Sequence, residues 1–280
     1  MTQKTSTEVE SNIIKDYVEE HLGSSTIAKK YNMNAGTVCN ILARNGIKRR
    51  NNRDKSLQYV CEDNYFKVID TEHKAYWLGF LLADGYVSIH NNSYIVGLSL
   101  SVKDRNHILK FKEDIKATYN IKEYISNGFS ACNYCRIIIS SPIMVNDLIT
   151  HGVIEHKTNI MKPPLHVPNQ FIKDCIRGYF DGNGCITYSV YHIRPSFTVK
   201  ICATEDILLW IKDFAYANNV CFSYKPYKRK AHQLVSQLDI GGNLQAQKFL
   251  DLLYQDSTVY LDRKYKLYQS LCEINLVVPS

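Results

Sequence analysis

At 280 residues the chain has room for one large or two to three small domains; 45% hydrophobic residues, with 34 Lys+Arg against 27 Asp+Glu for a net charge of +7, exclude wholesale disorder. No stretch approaches the roughly 18 uncharged apolar residues of a membrane span, and the polar opening from Met1 to Glu10 lacks the apolar core of a signal peptide, so a cytoplasmic protein is expected. Nine scattered cysteines read as reduced thiols, and the excess positive charge points to an anionic partner.

Val9, Ile13, Ile14, Tyr17 and Val18 recur at helical spacing and predict a first amphipathic helix. Ser24 or Ser25 is placed to cap a short helix through Tyr31. A turn at Asn32-Met33-Asn34 then leads to a third helix, Ala35 to Asn45, stopped by Gly46. With its basic tail, this arrangement resembles a helix-turn-helix DNA-binding unit. Ile27, Val38, Ile41 and Leu42 would fill its small core. Asn34, Thr37, Asn40 and Arg44 would face a major groove, and Lys48, Arg49, Arg50 and Arg53 would follow the backbone or the adjacent minor groove. A three-helix interaction domain with a solvated basic linker is the competing reading. The window from Thr26 to Lys55 holds eight Lys+Arg and one acid, Asp54, so it alone accounts for the net charge of +7.

Beyond Lys55 two segments share a pattern: WLGFLLADG from Trp77 to Gly85, and IRGYFDGNG from Ile176 to Gly184. Each is a helix ending in Asp-Gly or Asn-Gly. Small residues four apart, Gly79 with Ala83 and Gly178 with Gly182, lie on one face, where they let two helix backbones approach closely. The duplication continues: Ile139-Ser-Ser141 matches Ile240-Gly-Gly242, and Val153 to Lys157 matches Tyr260 to Lys264 in character. Nearly constant offsets mean two copies of one fold. In each copy the predicted order is motif helix, two strands, helix, two strands, helix. Copy one places these at Tyr86–Ile89, Ile95–Ser101, a helix near Asn106–Tyr119, Glu123–Phe129, Tyr134–Ser140 and a helix from Pro142; copy two runs from Cys185 to Leu253. The expected boundaries are 1–55, 56–162 and 163–280.

The paired motifs resemble the signature of the LAGLIDADG homing endonucleases. That resemblance implies an α+β fold of tandem pseudo-two-fold αββαββα repeats, here preceded by the small all-α unit. It implies a single-chain, monomeric enzyme that hydrolyses phosphodiester bonds at a long double-stranded DNA target and takes part in intron homing, in a bacterial or phage-infected cell or an organelle. Asp84 takes the first acid position and Asn183 the second, where the family pattern has an acid. With the adjoining Gly85 and Gly184 they would hold Mg²⁺ or another divalent cation such as Mn²⁺. An amide offers a metal one carbonyl oxygen but lacks the charge and cannot act as a base. The duplicated Lys157 and Lys264 correspond to basic residues near the scissile phosphates, a phosphate-positioning or plain surface role being the alternative. Lys225, Lys228 and Arg229, in an aromatic-basic run between two predicted strands, would line DNA or form a solvated hairpin. Ser99, Ser101, Thr198 and Lys200 would face outward to read sequence. Asn183 leaves open a nickase or a sequence-specific binder that does not cut; an RNA maturase is disfavoured by the helix-turn-helix pattern.

Overall fold

The computed structural model describes residues 6–20, 22–49, 59–125, 133–191, 194–222, 224, 227–228 and 235–277. It contains two compact units, Met1–Gln58 and Tyr59–Ser280.

In the first unit α1 (Thr7–Val18), α2 (Ser24–Lys30) and α3 (Ala35–Arg44) enclose a core of Ile13, Tyr17, Ile27, Ala28, Val38, Ile41 and Leu42. Ser6 caps α1 by accepting a bond from the Val9 amide. Neither Ser24 nor Ser25 caps α2. The cap is Gly23, whose extended backbone turns its carbonyl to the amides of Thr26 and Ile27, making Ser24 the first helical residue. Helix α3 ends one residue before the expected Asn45. Gly46 then takes a φ of +71°, while the Ile47 amide bonds back to the Leu42 carbonyl, a C-terminal motif that a side chain at Gly46 would strain.

The second unit begins its first repeat with α4 (Glu72–Ala83), in which every residue from Ala75 to Leu82 is buried. A helix apolar on all sides must lie at the centre of its unit rather than on its surface. It is followed by β1 (Gly85–His90), β2 (Ser93–Ser101), α5 (Arg105–Asp114), β3 (Lys122–Tyr124), β4 (Tyr134–Ser140) and α6 (Pro142–Thr150). The β1–β2 hairpin closes on Asn91 and Asn92, both at positive φ, as a two-residue turn matched to strand twist requires. Helix α5 stops at Asp114, five residues short of the expected Tyr119. Lys116 takes a left-handed φ of +49° and the Ala117 amide bonds back to the Lys112 carbonyl, which closes the helix end. Part of the expected strand to Phe129 lies outside the described residues.

The second repeat has the same order: α7 (Ile172–Asn183), β5 (Gly184–Tyr191), β6 (Arg194–Thr204), α8 (Glu205–Ala217), β7 (Tyr227–Lys228), β8 (Val235–Gly241) and α9 (Asn243–Tyr254), with a final α10 (Asp262–Val277). Within the basic run after Tyr224, Tyr227 and Lys228 form a short edge strand paired with Gln237 and Ser236. Lys225 and Arg229, like Arg50 and Arg53, lie outside the described residues, as does the side chain of Lys228.

The two antiparallel sheets have equivalent orders, β1-β2-β4-β3 and β5-β6-β8-β7. In each, one face packs on helices through residues such as Val96, Leu98, Ile137 and Ile139, or Val199, Ile201, Leu238 and Ile240. The alternate residues form the opposite, more open face of each sheet, where Ile138, Ser140 and Asp239 are exposed and Gly97 and Gln237 are buried. Ser99, Ser101, Thr198 and Lys200 all fall on these open faces, as their register dictates.

Candidate active site

The site is built where the two central helices meet. Gly79 of α4 lies against the backbone of α7 so closely that a Cβ would stand 1.9 Å from the Cys175 carbonyl oxygen; at Gly178 a Cβ would stand 1.9 Å from that of Tyr76. The two contacts are equivalent, as a pseudo-two-fold axis between the helices requires. One turn on, a Cβ at Gly182 would meet the Ala83 Cβ at 2.4 Å and the Asp84 carboxylate at 3.4 Å, so the two helix ends lie side by side. Only small residues allow such an approach, which brings both helix C-termini, with their partial negative charge, to one place.

Asp84 caps the end of α4 and reaches solvent, while Asn183 is the last residue of α7. Burial of its surroundings pushes the Asp84 carboxyl above the usual carboxylate range, opposed by Lys264, Lys157 and Arg263. The Asn183 amide nitrogen donates to the Tyr179 hydroxyl at 3.1 Å. One carboxylate and one amide oxygen source thus stand among three cations.

The duplicated lysines are placed equivalently. Lys157, in a short turn from Lys157 to Asn159, donates to the Gly85 carbonyl; Lys264, at the start of α10, donates to the Gly184 carbonyl. Each therefore holds the residue after its motif's terminal side chain. The glycine carbonyls expected to share a metal are here taken up by ammonium groups. Beyond that common contact the two diverge. Lys157 is half-buried, whereas Lys264 is 1% exposed and also donates to the Phe180 and Asp181 carbonyls at 2.6 and 2.8 Å, closing the C-terminus of α7. Burial lowers the pKa of both ammonium groups, that of Lys264 to about 8.

A buried polar network fixes the segment that delivers Lys264. Arg177, fully buried in α7, donates to the Val259 and Leu253 carbonyls and pairs with Asp174 and Glu72 at 2.8 and 2.6 Å. Glu72 in turn accepts from the amide and hydroxyl of Thr258. Asp181 accepts from Tyr76, Tyr254 and the Leu261 amide. It points into this network and away from Asn183, as residues two apart on a helix must. Arg177, Arg263 and Tyr179 are site residues that the motif pattern did not single out. Arg263 stood next to the duplicated lysine, and its position beside Asp84 needed the fold to be seen.

Of the residues expected to contact DNA through the first unit, Asn34, Thr37, Asn40 and Lys48 are exposed. Arg44 is also exposed and is ion-paired with Glu10 of α1. Arg49 donates to the Cys39 thiol at 3.5 Å.

No protein-family model matches the sequence, and no curated protein matches it. Solved structures do. I-SmaMI bound to uncleaveable DNA with a TTCT central four aligns at a TM-score of 0.51 and 13% identity, over 74% of this chain and 92% of that one. The same protein with a TTGT central four aligns at 0.51 and 13%, over 72% and 88%. The I-GzeII homing endonuclease in complex with its DNA target gives 0.49 and 9%, over 72% and 90%. The fold is that of the LAGLIDADG endonucleases. At such identity the LAGLIDADG fold is preserved by helix packing and sheet order, and the motif glycines at the helix contact are where sequence and geometry coincide.

Proposed function

We propose that the chain is a LAGLIDADG homing endonuclease that binds double-stranded DNA as a monomer and hydrolyses phosphodiester bonds at the paired helix ends. The observation that carries this reading is the convergence of Asp84, Asn183, Lys157 and Lys264 on two adjacent helix C-termini, beside two sheets with open faces. One chain supplies both halves of the site, so no second copy is needed. Asp84 and Asn183 offer hard oxygen donors that suit Mg²⁺ or Mn²⁺. Among the described residues no group of three or more His, Cys, Asp or Glu could hold a metal ion. A bound divalent cation would supply charge to the phosphoryl oxygens and acidify a water. Lys157 contributes positive charge where negative charge develops on the phosphate. The first unit adds duplex contact through Asn34, Thr37, Asn40, Lys48 and Arg49.

A second reading, nicking of one strand, is favoured by a specific asymmetry. The first centre has a carboxylate and a lysine bound to a single carbonyl; the second has an amide and a lysine locked by three. A supercoiled plasmid carrying the target separates the outcomes. Full cleavage gives linear product and nicking gives an open-circle plateau. Asp84→Asn should abolish both. Asn183→Asp should convert open circle to linear at least tenfold faster; an unchanged ratio would remove Asn183 as the cause of the asymmetry. If wild-type protein shifts the target in a gel and leaves the plasmid intact with Mg²⁺ and with Mn²⁺, the chain is a binder and the endonuclease reading fails.

A further inference from the structure

The open faces of the two sheets carry different side chains at equivalent positions, and one such pair lies on the central strands β4 and β8. In the first sheet Arg136 of β4 stands opposite Ser99 of β2 and Lys122 of β3; in the second, Gln237 of β8 stands opposite Cys202 of β6 and Tyr227 of β7. The register is otherwise the same, so the two side chains would meet mirror-related positions of a duplex lying across both sheets.

Their surroundings make them unlike. The Arg136 Nε donates to the Ser99 hydroxyl at 2.7 Å. Its guanidinium carbon lies 5.5 and 5.4 Å from the ring centroids of Tyr124 and Tyr134, which are themselves stacked 5.0 Å apart at 14°. One hydrogen bond and two aromatic faces thus fix the plane of the guanidinium. Among the described residues no hydrogen bond or ion pair takes up its two terminal nitrogens. Arg136 borders a cleft of about 300 Å³ whose walls include Ile95, Tyr119, Lys122 and Ile138. Gln237 is 2% exposed, and both ends of its amide are used: the nitrogen donates to Asp239 at 2.7 Å and the oxygen accepts from the Cys202 thiol at 3.7 Å.

A preorganised guanidinium with two free, parallel donors matches the paired acceptors O6 and N7 that guanine shows in the major groove. Ile95, Gly97 and Ile138 beside it on β2 and β4 are apolar, and Lys122 opposite it on β3 is charged. We infer that Arg136 reads a guanine in the half of the target covered by the first sheet, while the mirror position in the other half goes unread. This rests on the proposal that the open faces meet a DNA major groove, and it adds that the recognised site is asymmetric at a defined place.

The test uses the full chain and a randomised duplex library, selected by gel shift without divalent metal and then sequenced. Wild type should enrich a motif with a strong guanine column. Arg136→Ala should lose that column, with discrimination at that base pair falling about tenfold or more, while the other columns persist. Arg136→Lys, which keeps the charge and loses the fork, should lose the column with the salt dependence of binding unchanged. Gln237→Ala should leave the motif as it is. A motif that Arg136→Ala leaves intact, with affinity lowered equally for every sequence, would make Arg136 a phosphate contact and overturn the assignment alone. Failure of wild type to enrich any motif would overturn the DNA reading and the assignment with it.

Discussion

The first and second repeats share a backbone plan and differ in what their side chains do with it. The glycine contacts of α4 and α7 repeat atom for atom, and each duplicated lysine finds the carbonyl after its motif. Around that frame the second repeat has become the structural half. Its motif helix carries Arg177 and Asp181 where the first has Leu78 and Leu82, and these buried charges anchor the loop from Leu253 to Leu261. Its lysine is locked and its terminal acid is an amide. The first repeat keeps an open carboxylate and a less confined lysine. Duplication preserves what the close approach of two helices demands and frees the chemistry on either side of it to diverge.

The largest effects should come from the shared frame. Gly79→Ala and Gly178→Ala each place a methyl 1.9 Å from a backbone carbonyl oxygen, with no flexible side chain to move aside. Each should cost about 3 kcal/mol or more, since overpacking against backbone cannot relax through rotamers. The two losses, read from urea midpoints, should agree within about 1 kcal/mol; a mild effect at either position would show that the pseudo-symmetry of the contact is superficial. The lysines should then separate the halves. Lys264→Met removes the donor shared by three carbonyls at a buried helix end and should cost about 2–3 kcal/mol, whereas Lys157→Met removes one contact and should cost about 1 kcal/mol. Thermal unfolding checks the pair, and equal losses would contradict the division into structural and chemical centres.

Much of this plan was legible in the sequence. The period of small residues in the two motifs gave the helix contact, and the nearly constant offset gave the two repeats. The alternation along β2 and β6 put Ser99, Ser101, Thr198 and Lys200 on the open faces. What was not legible depends on contacts between segments far apart in the chain. Arg177 reads in isolation as a surface arginine interrupting an apolar helix, and only the carbonyls of Leu253 and Val259 account for its burial. Arg44 sits at a groove-facing spacing, but Glu10, 34 residues earlier, claims it. The stop of α5 at Asp114 is hidden because apolar residues continue and the left-handed position that closes the helix is taken by Lys116 rather than by a glycine.

A further effect distinguishes the repeats through pH. The buried positions of α5, His107, Ile108 and Phe111, match Ile207, Leu208 and Ile211 of α8, so a histidine in the first repeat stands where the second has isoleucine. His107 is 2% exposed among Tyr76, Trp77 and Phe80, and burial pushes its pKa from 6.5 down to about 3. Because the folded-state value lies below the unfolded one, the unfolded chain binds the extra proton in that window. The stability associated with neutral His107 is complete above about pH 6.5 and is lost as the pH falls toward 3. Between pH 6.5 and 5 the loss should be about 2 kcal/mol, at 1.36 kcal/mol per unit. His73, held above its ordinary pKa by Asp114, works in the opposite sense, so the informative quantity is the difference between wild type and His107→Ile. The variant gives the first repeat the residue type of the second and frees the core of an unpartnered Nδ1 nitrogen, while the Tyr76 hydroxyl keeps its bond to Asp181. Urea midpoints at pH 7 and pH 5 should therefore lie closer together in His107→Ile than in wild type. An identical gap would mean that acid acts on the molecule elsewhere, and that this difference between the repeats has no thermodynamic consequence.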